Sequence, residues 1–201
     1  MNALTSIVLC LFTITSFAQI ETIDADIAKY DAEIEQAISE EMEEIIPHIS
    51  TTCPLILPAI GPVNHEIDIY FDQFREESEI DGIAMQTSNT IRKVSFQLIS
   101  GSYQFYYTYY FDQLGNLIFQ SERAEDAEYG CTLTSYYFDQ GKCIQMRSEM
   151  YATEFCEVPA ENQPEVRTEL TDGDMITVNW ILKSATKYKD LLALYVDIIS
   201  N

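Results

Sequence analysis

The sequence predicts an α+β fold: an N-terminal amphipathic helix, a roughly six-stranded antiparallel meander, and a long C-terminal helix packed on one sheet face. Three observations lead there. An apolar stripe of 3.6-residue period runs from Ile23 to Ile45. Alternating apolar and polar residues, punctuated by glycine turns, fill the middle, and a second helical stripe begins at Met175.

The chain opens on a segment of different character. Residues 1–18 contain no Asp, Glu, Lys or Arg, and the apolar run Ile7 to Phe12 leads to Ser16-Phe17-Ala18 before Gln19. Small residues flanking Phe17 make an A-x-A-like cleavage site. As a membrane anchor the segment is short and interrupted by Thr and Ser. We therefore expect a signal peptide over 1–18 and a single secreted α+β domain over 19–201. The mature chain would be secreted or periplasmic, with no membrane span.

From Glu21 to Glu44 there are ten acids and one base, Lys29. Ile23, Ile27, Tyr30, Ile34, Ile38, Met42 and Ile45 recur at three- and four-residue steps, which aligns them on one helical face. The acids then form the solvated face, and Pro47 ends the helix. His48 to Val63, with Pro54, Pro58, Gly61 and Pro62, reads as an irregular crossing.

The middle reads as hairpins. A turn at Gly101-Ser102 would set Leu98 against Phe105, Phe96 against Tyr107 and Val94 against Tyr109, all apolar pairs. A second turn, Asp112 to Gly115, would set Phe111 against Leu117 and Tyr109 against Phe119. A third, at Gln140-Gly141, joins Leu133–Phe138 to Lys142–Ser148, with Asp139 opposite Lys142 and an inward face ambiguous between Tyr137 and Phe138. The letters Tyr-Phe-Asp-Gln occur at Tyr70, Tyr110 and Tyr137, at spacings that do not make a solenoid.

Met175, Val178, Leu182, Ala185, Tyr188, Leu192, Tyr195 and Ile199 form the closing helical stripe, which Thr171 or Asp172 can cap. The β-branched cluster Ile176-Thr177-Val178 leaves open a strand over 175–182 followed by a shorter helix.

Without Cys10 the exported chain keeps Cys53, Cys131, Cys143 and Cys156, which suit two disulfides in three possible connectivities. The third hairpin places Cys143 near its turn and Cys131 about 23 Å away along the partner strand. That excludes a Cys131–Cys143 bond, whose Cα atoms must lie within roughly 7 Å. Cys131–Cys156 with Cys53–Cys143 is preferred, because Cys156 closely follows the hairpin's exit near Cys131. Cys143–Cys156 stays open if residues 151–158 return as a further strand.

The 201 residues include 33 acids against 11 bases, a formal charge of -22. So negative a chain is ill suited to nucleic acid or to anionic lipid. At 47% hydrophobic residues it can still bury a core. His65-Glu66 begins a zinc-protease pattern, but Ile69 stands where the second His is needed. His48 is a lone loop histidine, and Asp24-x-Asp26 and Asp172-Gly173-Asp174 fall short of a calcium loop. Neither a metal nor a cofactor is expected. One strand stands out. Tyr103, Phe105, Tyr107, Tyr109 and Phe111 share its core face, while the other face would show Tyr106, Thr108 and Tyr110 beside Ser95, Gln97, Ile118 and Gln120. Rings among hydroxyls and amides suit a protein, peptide or glycan partner. A strand covered on both faces would show the same pattern. The expectation is an exported, non-enzymatic binding or inhibitory module using Tyr106, Thr108, Tyr110, Gln97 and Gln120. A cell-envelope hydrolase with dispersed carboxylates and a calcium-stabilised surface protein are the alternatives.

Overall fold

Hairpin follows hairpin without a crossover. The computed structural model describes residues 3–39, 46–57, 61–77, 84–100, 103–126, 130–151, 156 and 164–200. Strands β1 (His48–Leu57), β2 (Gly61–Glu77), β3 (Ala84–Ser100), β4 (Tyr103–Phe111), β5 (Leu117–Asp126), β6 (Gly130–Asp139), β7 (Lys142–Tyr151) and β8 (Glu165–Arg167) pair antiparallel in chain order. Helix α1 (Ala3–Ser39) lies in one compact unit, Met1–Ile45, and the sheet with helix α2 (Asp172–Ser200) lies in another, Ile46–Asn201. The end of the first stripe, at Met42 and Ile45, falls outside the described residues. No helix among those described is long and apolar enough to cross a membrane.

Among the described residues the sheet has eight strands, not six, and the additions are its two edges. Where an irregular crossing was expected over His48 to Val63, the described residues form β1 and the start of β2, paired from His48↔Tyr70 to Leu57↔Gly61. An edge strand keeps one row of backbone groups out of the ladder, so it tolerates Pro54 where a central strand would not. The three-residue β8 pairs with the far end of β7 at Met146↔Arg167.

The first expected register holds: Leu98 faces Phe105, Phe96 faces Tyr107 and Val94 faces Tyr109. Its turn at Gly101-Ser102 is outside the described residues. At the second turn Gly115 takes φ +75°, and the Asp112 carboxylate accepts from the amides of Leu114 and Asn116 at 2.9 and 2.7 Å. Phe111 faces Leu117 as expected, but a bulge between Tyr110 and Phe111 sets Phe119 against Tyr110 and Gln120 against Tyr109. The expected Tyr109–Phe119 pair is thus off by one residue. In the third hairpin, positive φ at Gln140 and Gly141 suits the right-handed twist of the flanking strands. Asp139 faces Lys142, and Phe138 faces Cys143.

The Tyr-Phe-Asp-Gln repeats mark one structural event. Register shifts fall between Tyr70 and Phe71, Tyr110 and Phe111, and Tyr137 and Phe138. At each bulge the register skips one residue of the partner strand: Arg92, Ile118 and Ile144. Alternate strands run the same way, so the three motifs line up across the sheet. Phe71, Phe111 and Phe138 enter the core cluster on the first face, while Tyr70, Tyr110 and Tyr137 point to the second. This resolves the ambiguity at Tyr137 and Phe138, because both are buried, on opposite faces. Arg92 ties its bulge down, donating to the Phe111 carbonyl at 3.3 Å and to Asp72 at 2.6 Å.

Helix α2 is continuous from Asp172, which settles residues 175–182 as helix. Thr171 caps it: its Oγ1 accepts from the Asp174 amide at 3.2 Å, and the Asp174 carboxylate accepts from the Thr171 amide at 2.8 Å. Val178, Ile181, Ala185 and Leu192 bury one face of α2 on the sheet's first face.

Cys131 and Cys156 form a disulfide with Cα atoms 5.2 Å apart. The companion bond expected between Cys53 and Cys143 is not formed, for Cys143 is a buried free thiol. It lies beside Phe138 in the core on β7, six strands from β1, or about 29 Å at the usual strand spacing. The side chain of Cys53 falls outside the described residues.

Candidate functional site

Cross-strand pairing puts most of the expected residues on the sheet's second face. Gln97 stands opposite Tyr106, which stands opposite Arg123, and Ser95, Thr108, Ser121 and Ser135 make the neighbouring row. Much of this face is already engaged. The Arg123 guanidinium lies 4.3 Å from the Tyr106 ring centroid and pairs with Glu125 at 2.8 Å. The Tyr106 hydroxyl donates to Gln104 at 2.7 Å. Tyr110 is only 6% exposed, packed edge-on against Phe119, which meets Tyr137 in turn. Gln97 and Thr108 are half-buried. Gln120 is not on this face at all. The Tyr110–Phe111 bulge turns it to the first face between Tyr109 and Tyr136, where it is 1% exposed.

The first face differs because α2 is narrower than the sheet it packs on. Eight strands span about 34 Å at the usual spacing, whereas a helix with its side chains is about 10 Å thick. Helix α2 crosses obliquely. Thr177 meets Tyr136 on β6, Ser184 and Tyr188 meet Tyr109 on β4, and Lys189 lies 5.7 Å from the Phe111 ring. Beyond its flank, β4 carries a row of rings that α2 leaves half-covered: Tyr107, Phe105 and, 48% exposed, Tyr103.

Those rings gather neighbours. The Tyr107 centroid lies 5.4 Å from Phe96, 6.5 Å from the nearly parallel Phe105, and 5.9 Å from Trp180 of α2. Trp180 remains 49% exposed. His65 meets Phe96 edge-on at 4.3 Å, and burial lowers its imidazole below the ordinary range. Along the other side, β5 places Glu122 opposite Tyr107, Ala124 opposite Phe105 and Asp126 opposite Tyr103. An aromatic row thus runs beside a row ending in acids. Burial holds the Glu122 carboxyl above the usual carboxylate range, against the hydrogen bond from Tyr107 that favours its charged form. The Tyr107 hydroxyl is raised in turn, by burial first and by Glu122 second.

The sequence reading placed Phe105 and Tyr107 correctly in register, but took them as covered core. The available signal was geometric: the apolar rows of the sheet are wider than the stripe of α2. Among the described residues no group of three or more His, Cys, Asp or Glu could hold a metal ion. A cavity of about 350 Å³ between α2 and the β4–β5 turn has Ile91, Leu114, Leu192 and Val196 in its lining, with Lys189 and Asp197 supplying one charge of each sign.

Comparison with protein-family models, with curated proteins and with solved structures finds no match to this chain.

Proposed function

We propose that the protein is a non-enzymatic binding module that works outside the cytosol and seats its ligand on the aromatic strip beside α2. The observation that carries this reading is the cluster of Phe96, Phe105 and Trp180 around Tyr107, which faces one half-buried carboxyl, Glu122. Rings with an apolar body and a polar neighbour are the usual currency of recognition surfaces. The uncharged leader-like segment and the Cys131–Cys156 bond support action in an oxidising compartment.

Binding is favoured over hydrolysis by the spacing of the acids. Glu122 and Asp126 stand four residues apart on one strand, about 13 Å by strand rise, and glycoside-cleaving carboxylates work within about 9.5 Å of each other. The expected second-face set is the weaker candidate, since Tyr106 is engaged and Tyr110 buried.

Trp180 is the chain's only tryptophan, so its emission reports on the strip directly. Titration with glycan, peptide and amine libraries should yield at least one ligand that shifts Trp180 emission saturably. Phe105→Ala should weaken that ligand several-fold while Gln97→Ala leaves it unchanged. The opposite pattern would move the site back to the second face.

A further inference from the structure

We propose that the ligand of this strip is an organic cation, a quaternary or primary ammonium group held over the rings and against the acidic row. The proposal rests on the binding reading above and adds the ligand's chemical class. Aromatic faces carry negative quadrupole potential and attract cations lying within about 6 Å of a ring centroid. Tyr107 supplies the central ring, with Phe96, Phe105 and Trp180 all within 6.5 Å of it. An acid faces the row at each end, Glu122 against Tyr107 and Asp126 against Tyr103. A carboxylate alone would accept any cation, including strongly hydrated sodium. Rings select instead for a weakly hydrated ion that sheds its water readily, which describes an alkylammonium group.

The electrostatics of the whole chain point the same way. A formal charge of -22 attracts cations and repels acidic glycans and anionic peptides before contact. Three of the cations are engaged away from the strip: Arg123 lies over Tyr106 on the second face, Arg92 is tied to Asp72, and Lys189 of α2 lies over Phe111. Ring surface and acidic side chains therefore meet where Glu122 faces Tyr107 and Asp126 faces Tyr103.

The test is calorimetric titration of the full chain with choline and with its neutral isostere, in which the quaternary nitrogen is replaced by carbon. Choline should bind at least about tenfold tighter than the isostere, and Glu122→Gln should weaken choline by about tenfold while leaving the isostere unchanged. Trp180→Ala should weaken both. Circular dichroism of each variant confirms that the fold persists. Equal binding of choline and isostere, or choline affinity indifferent to Glu122→Gln, would overturn the cation assignment; sensitivity to Trp180→Ala would still uphold the strip as the site. Choline binding that ignores Trp180→Ala would overturn both readings. Absence of any choline binding, with a neutral ligand found through Trp180 emission, would overturn the cation class alone.

Discussion

The carboxyl of Glu122 faces Tyr107 at the margin of α2, where burial makes its ionisation harder than in the unfolded chain. The sign of its effect on stability follows. A raised folded pKa means that the folded state holds the proton more tightly, so the favourable contribution is complete below the unfolded carboxyl's value of about 4.3. It is lost as pH rises through the higher folded value. Glu122→Gln should accordingly raise the urea midpoint at pH 8 more than at pH 4, and a uniform shift at both would refute the linkage. Cys143 is the second residue with a chemical prediction. Burial pushes its thiol up to about 11, and Sγ donates to the Gln145 carbonyl at 3.4 Å. A thiol reacts as its thiolate. Peptide mapping after iodoacetamide at pH 8 should therefore find Cys143 unlabelled in native protein and labelled in urea.

Helix α2 depends on its first turn, where Thr171 and Asp174 satisfy each other's amides and Arg167 reaches Asp174 at 3.0 Å. Thr171→Ala removes the cap and should cost about 1 kcal/mol in denaturant unfolding. The Cys131–Cys156 bond closes a loop of 25 residues, and cross-links of that length stabilise by about 3.5 kcal/mol, chiefly by restricting the unfolded chain. The Cys131→Ala/Cys156→Ala double variant should lose about that much. The elements themselves were legible where local chemistry decides geometry. The Leu98–Phe105 and Phe96–Tyr107 pairs followed from alternation and the turn residues Gly101-Ser102, and the third hairpin from Gln140-Gly141. The bulge after Tyr110 was not legible, because it is decided by packing Phe111 and Phe138 into one core across several strands. Strand β1 was missed because Pro54 reads as a breaker, whereas the edge position that tolerates it is a property of the finished sheet. The candidate site was half legible for the same reason. Tyr107 and Phe105 were assigned to the correct face, but how far α2 covers that face depends on its crossing direction, which no local pattern encodes.

At the scale of the whole molecule, charge acts on stability and on binding in opposite directions. With 33 acids and 11 bases the chain repels itself, and compaction brings like charges closer than they are in the unfolded state. Salt shortens the range of that repulsion, from about 30 Å at 0.01 M to about 3 Å at 1 M. Local pairs such as Arg92–Asp72, in contact at 2.6 Å and largely shielded from solvent and its ions, lose little. Raising sodium chloride across that interval should thus increase the urea midpoint. The same salt should weaken a cationic ligand on the strip, since it screens the attraction of the acidic row and the steering by the chain's field. Affinity and stability measured on one set of samples should move apart as salt rises. A neutral ligand seated only on the rings would hold its affinity while stability climbed, because burial of apolar surface is not screened by ions at these concentrations. Parallel melting and calorimetric series thus separate charge recognition from ring stacking in the wild-type chain, without any substitution that could disturb the sheet.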